Sequence, residues 1–155
     1  MDVDIQEVQL ACFNLGENHF AVDIMRIREI ILPQKMSGLP VASTMLDGVI
    51  NLRGMVIPVM DLRRRFGMQE RTPGKYLVVS LARQTLALAV DNVQEVISVP
   101  ASEIKPPLSD IDAIGMDFIL GVCLFGDDVY MILDIDALLG NAEHRPDRST
   151  IPGEP

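Results

Sequence analysis

The chain carries a copy of itself. Slid along its own length by 66 residues, Phe13 falls on Val79, Leu15 on Leu81, Phe20 on Leu86, Val22 on Leu88, Ile24 on Val90, Ile27 on Val93, Glu29 on Glu95 and Ile31 on Ile97. At an offset of 73 residues, Gly48 meets Gly121, Val49 meets Val122, Val56 meets Val129, Asp61 meets Asp134 and Gly67 meets Gly140. The apolar rhythm, two acids and the punctuating glycines all recur, and the connector between the two matched blocks is longer in the second copy. Self-similarity at a fixed spacing marks a duplicated supersecondary unit. Each copy reads as strand, turn, strand, connector, strand, turn, strand, short helix. Two such units imply two similar small β-barrels, because a lone sheet of this size would expose an unpaired edge.

Most apolar segments are short, rich in Val and Ile and broken by Gly, Asn, Asp or Pro, the pattern of small antiparallel sheets whose side chains alternate faces. A first hairpin is expected from about Val8 to Leu15, turning at Gly16-Glu17-Asn18 and returning through Phe20 to Ile24. Gly and Asn tolerate the positive φ of a tight turn. Further strands are expected at Gly48–Leu52, Val56–Met60, Tyr76–Leu81, Leu86–Val90, Glu95–Val99, Leu120–Phe125 and Val129–Leu133. Helix is scarce. Asp61 before Leu62 to Phe66, and Asp134 before Ile135 to Leu139, each supply an N-cap to one or two turns that stop at Gly67 or Gly140. After Asn141 the chain turns polar and proline-rich, so 141–155 is expected to be a mobile tail.

At 155 residues and 48% hydrophobic content the chain can bury one core or two small fused ones without metal or disulfide. Its charge of −9 repels phosphate backbones and anionic lipid, which argues against nucleic acid or membrane as partner. Cys12 and Cys123 sit in apolar runs with no CxxC spacing, so buried reduced thiols and a cytoplasmic setting are expected. The acidic N-terminus, Met1-Asp2-Val3-Asp4, is unlike a signal peptide, and no apolar run approaches the roughly 18 residues a membrane helix needs.

Catalytic chemistry has little to stand on. His19 lies beside a hairpin turn and His144 in the tail, neither placed to orient a nucleophile. Asp134, Asp136 and the Asp127-Asp128 pair lack the twelve-residue calcium loop, and Asp134 has the simpler role of helix cap. Gly74-Lys75 is followed by Tyr76 without the upstream glycine of a P-loop, and no GxGxxG occurs, so no cofactor is expected. The run Arg63-Arg64-Arg65 reads as a solvated helix face. Where the repeat breaks is more informative. The first copy has Asn51-Leu52-Arg53-Gly54 where the second has Leu124-Phe125-Gly126-Asp127, so Arg53 has no counterpart although Glu29 has one in Glu95. Aligned barrels would project Glu29 and Arg53 from neighbouring strands. They form either a partly buried pair fixed by charge-assisted hydrogen bonds or a solvated pair contributing about 0–1 kcal/mol. Nine methionines and no Trp suit a surface that adapts to a partner, with Met25 and Met55 as candidate contacts, or ordinary core filling.

The run GVINLRGMVIPVMDL from Gly48 to Leu62 resembles the signature of CheW-type chemotaxis coupling proteins. So do Phe13-x-Leu15, Phe20 to Ile24, Ile27-x-Glu29-Ile-Ile31, Leu39-Pro40, Val90-Asp91-x-Val93-x-Glu95-Val96, and Ile132-Leu133-Asp134 before Leu138-Leu139. The likeness spans about Gln6 to Gly140. It implies a mainly β fold of two small five-stranded SH3-like barrels side by side with a few short helices. The first barrel would hold mainly about 13–67 and the second mainly about 76–140, with exchange of terminal strands left open. It also implies a non-enzymatic adaptor between the cytoplasmic tips of chemoreceptors and the regulatory domain of a CheA-type histidine kinase. On that reading Ile27, Glu29, Asn51, Arg53 and Gly54 belong to a working surface that binds partners, and the candidate contact Met55 stands beside Gly54. Ile27, Gly48 and Val93, with Val96 nearby, fall at positions of receptor contact around the groove between barrels. The chain departs from the family at Ala87, usually Gly, and at Asn92, usually smaller, so that strand's contacts, Ala87 included, are expected to differ in detail. With no receiver or kinase core in the sequence, a stand-alone adaptor is expected. Two rivals remain: a CheW-like scaffold of a non-flagellar pathway for surface motility or gene regulation, and a small-ligand-binding β-barrel using the groove, which would need the clustered titratable residues this sequence lacks.

Overall fold

The computed structural model describes residues 6–38, 45–107 and 118–139. The Leu39-Pro40 motif, the Gly140 stop, His144, the first four residues and the 141–155 tail lie outside the described residues. Among the described residues ten strands run β1 (Glu7–Leu15), β2 (Asn18–Asp23), β3 (Ile27–Ile31), β4 (Gly48–Leu52), β5 (Met55–Asp61), β6 (Lys75–Ser80), β7 (Thr85–Val90), β8 (Asn92–Pro100), β9 (Ile119–Phe125) and β10 (Asp128–Leu133). Helix α1 (Leu62–Arg65) follows β5, and α2 (135–139) follows β10. Asp61 caps α1 by accepting from Arg63 N–H at 3.0 Å, and Asp134 caps α2 by accepting from Ala137 N–H at 3.3 Å. The expected helix caps are therefore in place, as is the left-handed Gly67 just past α1, at φ 74°.

The strands form two five-stranded sheets, ordered β8-β1-β2-β10-β9 and β3-β6-β7-β5-β4. Under the sequence repeat β1 matches β6, β2 matches β7, β3 matches β8, and β4 and β5 match β9 and β10, so the two orders are the same order. Even the register repeats. Ile132 pairs with Ala21 in one parallel ladder and Val59 with Ala87 in the other. A bulge interrupts β3 between its Ile27↔Val79 and Glu29↔Val78 pairings, and another lies at the equivalent point of β8. Each sheet nevertheless mixes the two copies. The hairpin β1–β2 sits with β8, β9 and β10, while the hairpin β6–β7 sits with β3, β4 and β5. The halves at about 13–67 and 76–140 thus exchange whole leading hairpins.

The sheets are not closed barrels. Among the described residues no ladder joins β8 to β9 or β3 to β4. They do curl, because all five strands of each sheet feed one inner core. Leu10, Cys12, Ala21, Ile97, Val99, Cys123, Tyr130 and Ile132 fill the first. Ile50, Leu52, Ile57, Val59, Tyr76, Val78, Ala87 and Ala89, with Ile31 against them, fill the second. That curvature is the SH3-like feature. A third core lies between the sheets, where Phe13, Leu15, Phe20 and Val22 meet Met60, Leu77, Val79, Leu86 and Leu88. The four hairpin strands β1, β2, β6 and β7 are therefore buried on both faces, which is why Leu10–Phe13 and Leu86–Val90 read as unbroken apolar runs. Burying such side chains contributes roughly 1.5–3 kcal/mol each, and the sheet-to-sheet core makes the two units one folding body.

Ile27–Ile31 forms a strand that is missing from the strands expected above, although the expected placing of Glu29 required one there. Both parities of that segment hold an Ile, and the bulge near Arg28 shifts the alternation, so no clean period of two is visible.

Candidate functional site

The run Asn51 to Met55 forms one hairpin tip. Leu52 pairs with Met55, leaving Arg53 and Gly54 as a two-residue loop with φ of 53° and 89°. Two positive φ values define the turn that matches strand twist, and Gly suits it whereas Arg is strained there by about 1 kcal/mol or more. Asn51 Oδ1 accepts from Gly54 N–H at 2.8 Å and holds the loop in shape. In the other sheet the equivalent turn carries Gly126, at φ 65°, in place of Arg53.

Arg53 Nη2 donates to Glu29 Oε2. The two residues do not stand on neighbouring strands as the sequence suggested: β3 and β4 are opposite edges of one sheet, with β6, β7 and β5 between them. Their ion pair spans the unclosed gap where the sheet curls round. Arg53 is largely exposed and Glu29 half-buried. Of the two energetic readings the solvated one therefore applies, at about 0–1 kcal/mol. Met55 and Val56 are exposed on the same tip. Carboxylate, guanidinium, amide and thioether here can recognise a surface.

The other expected contact residues scatter. Ile27 and Val93, equivalents under the repeat, are both half-buried on the rim of the core between the sheets. Val96 on β8 is exposed. Gly48 is buried beneath the Ser37–Val49 bridge, where a Cβ would stand 2.6 Å from the Ser37 carbonyl oxygen. Ala87 is fully buried in the core of the second sheet, so it presents no atom to a partner, and its small size answers to the parallel pairing with Val59. For Gly48 and Ala87 direct contact is thus replaced by a packing role. Met25 stands almost free in the 3-10 turn Ile24–Arg26.

The basic run is not a solvated face. Arg63 is buried and gives Nε and Nη2 to both Asp91 oxygens at 2.8 and 2.6 Å, with Nη1 on the Gln69 carbonyl at 2.8 Å. Asp91 also accepts from Gly16 N–H at 2.6 Å and from Arg71 at 3.1 Å. The Arg63 guanidinium beside it holds the Asp91 carboxyl down at about 2. Arg64 pairs with Asp47 at 2.6 Å, and Arg65 lies over the Phe118 ring at 4.3 Å. Asp136 bonds Arg26 at 2.6 Å, whose Nε also donates to the Ser80 carbonyl at 3.0 Å. Sequence spacing hid these pairs because the partners lie far apart along the chain. Cys12 and Cys123 are free and buried, and burial pushes the Cys12 thiol up to about 12, with Cys123 adding to it.

The CheW-like domain family model matches residues 9–143. The chain is 31% identical over 150 residues to the chemotaxis protein CheW of Treponema pallidum, covering 92% of this chain and 88% of that one. It is 27% identical to the CheW of Klebsiella aerogenes, covering 84% and 81%, and 27% identical to the protein FrzA of Myxococcus xanthus, covering 90% and 89%. Among solved structures it is similar to the scaffolding protein TtCheW from Thermoanaerobacter tengcongensis, with a TM-score of 0.78 at 28% identity over 89% of this chain and 91% of that one.

Proposed function

The chain belongs to the CheW-like domain family, and from that membership we propose that it is a cytoplasmic, non-enzymatic adaptor coupling chemoreceptors to a CheA-type histidine kinase. The observation that carries this reading is the hairpin tip. An arginine kept at a left-handed turn position, exposed and tied across the sheet gap to Glu29, is poorly explained by folding. Strain of that kind points to use. One curled sheet docks on the like-folded regulatory domain of the kinase while the rim between the sheets, at Ile27 and Val93, holds the receptor tip. Simultaneous occupancy links receptor state to kinase state. Each contact need only be modest, because an array raises effective concentration. The likeness to FrzA fits a second reading, a CheW-like scaffold of a non-flagellar chemosensory pathway.

The test is Arg53→Glu. It should abolish receptor-coupled kinase activation while the purified variant melts cooperatively within a few degrees of wild type, since an exposed pair contributes only about 0–1 kcal/mol. Normal coupling by the variant would remove the hairpin tip from the mechanism.

A further inference from the structure

The chain crosses between its two sheets twice among the described residues: at Ile24–Arg26, between β2 and β3, and at Asp91, between β7 and β8. Each crossing is held by one Arg–Asp pair to the short helix that ends a repeat. At the second crossing Asp91 takes both forks of Arg63 from α1 and also the Gly16 N–H from the turn of the opposite sheet. At the first, Arg26 reaches Asp136 on α2 and the Ser80 carbonyl of the opposite sheet. Arg63 and Asp136 are counterparts under the 73-residue offset, and Arg26 lies one residue past the counterpart of Asp91. The duplicated unit has kept the pin and reversed its charges. Each pin also adjoins a rim residue, for Arg26 immediately precedes Ile27 and Asp91 stands two residues before Val93.

The two pins differ in strength. The side chains of Arg63 and Asp91 are 10% and 8% exposed, whereas those of Arg26 and Asp136 are 33% and 59% exposed. A bidentate pair out of water resists opening because each charge would be left without its partner, while a pair in water exchanges freely with solvent. We propose that these pins are the positioning elements of the receptor groove, Arg63–Asp91 fixing Val93 as its rigid wall and Arg26–Asp136 leaving Ile27 as the wall that yields. This rests on the adaptor reading for the identity of the ligand. The placement of the two walls does not.

The test therefore reads the free protein as well as the complex. In Asp91→Asn the Val93 methyl resonances should shift and broaden while those of Ile27 stay put, and in Asp136→Asn the pattern should reverse. Affinity for a receptor-tip fragment should fall at least about tenfold in Asp91→Asn, about 1.4 kcal/mol, and less than about threefold in Asp136→Asn. Binding of the kinase regulatory domain should stay within about twofold in both. Should Asp91→Asn fail to fold, Arg63→Lys keeps the charge, loses the fork, and should show the same Val93 signature. Unmoved Val93 resonances in a folded Asp91 or Arg63 variant overturn the proposal, as does equal loss of both partners. A wild-type protein that binds no receptor fragment would sink the adaptor reading instead, leaving the methyl pattern to decide the pins.

Discussion

At the scale of single residues, the most consequential group is Asp91, whose carboxylate lies between the Arg63 guanidinium and the Gly16 N–H and is held down at about 2. A carboxyl that is more acidic folded than unfolded stabilises the fold above its unfolded value, near pH 4, and loses that contribution as pH falls towards about 2. The contribution is about 2 kcal/mol at neutral pH. Urea unfolding of wild type and Asp91→Asn should show that gap at pH 7 and see it close between about pH 4 and pH 2. A gap independent of pH would contradict the charged pairing. The sequence singled out Asp91 only as part of a motif and read Arg63 as solvated. An ion pair between residues 28 positions apart leaves no periodic trace, so nothing local could join them. Arg53 was legible for the opposite reason, since it breaks a repeat in which Glu29 has its counterpart in Glu95.

Among elements, the hairpins were legible almost to the residue, because alternation bounded by Gly and Asn is a local signal. The β4–β5 tip shows what local signals leave out. Arg53 at φ 53° and Gly54 at φ 89° make a turn that prefers Asn-Gly. Arg53→Asn should therefore raise stability by about 0.5–1 kcal/mol, the relief of strain exceeding the loss of an exposed pair. Thermal melts would show a small rise while receptor-coupled kinase activation is lost. A variant both less stable and fully active would reverse the account of this turn. Strand β3 has no clean alternation of its own because its bulge mixes the two faces, and only the repeat, which matches it to β8, puts Glu29 on a strand.

Over the whole molecule, the duplication was legible and the partnering was not. Self-similarity says which segments are alike; which edges meet is decided by burial. Exchanging leading hairpins lets four strands bury both faces against three cores, and it leaves neither sequence half with a complete sheet. Cutting the chain between Gln69 and Arg71, after α1 and before β6, should accordingly give two fragments that are each unfolded alone and regain β-sheet circular dichroism on mixing. Cooperative melting of either fragment by itself would contradict the exchange. The same architecture presents two similar sheet ends and a rim between them, the layout an adaptor needs to hold unlike partners at once. The central claim is that bridging, and its most direct measurement is co-sedimentation of a CheA-type kinase with membranes bearing receptor fragments, scored for kinase activity, with and without this protein. Kinase should pellet and be activated only when the protein is present; kinase that stays in the supernatant, or is equally active without it, would contradict the bridging role.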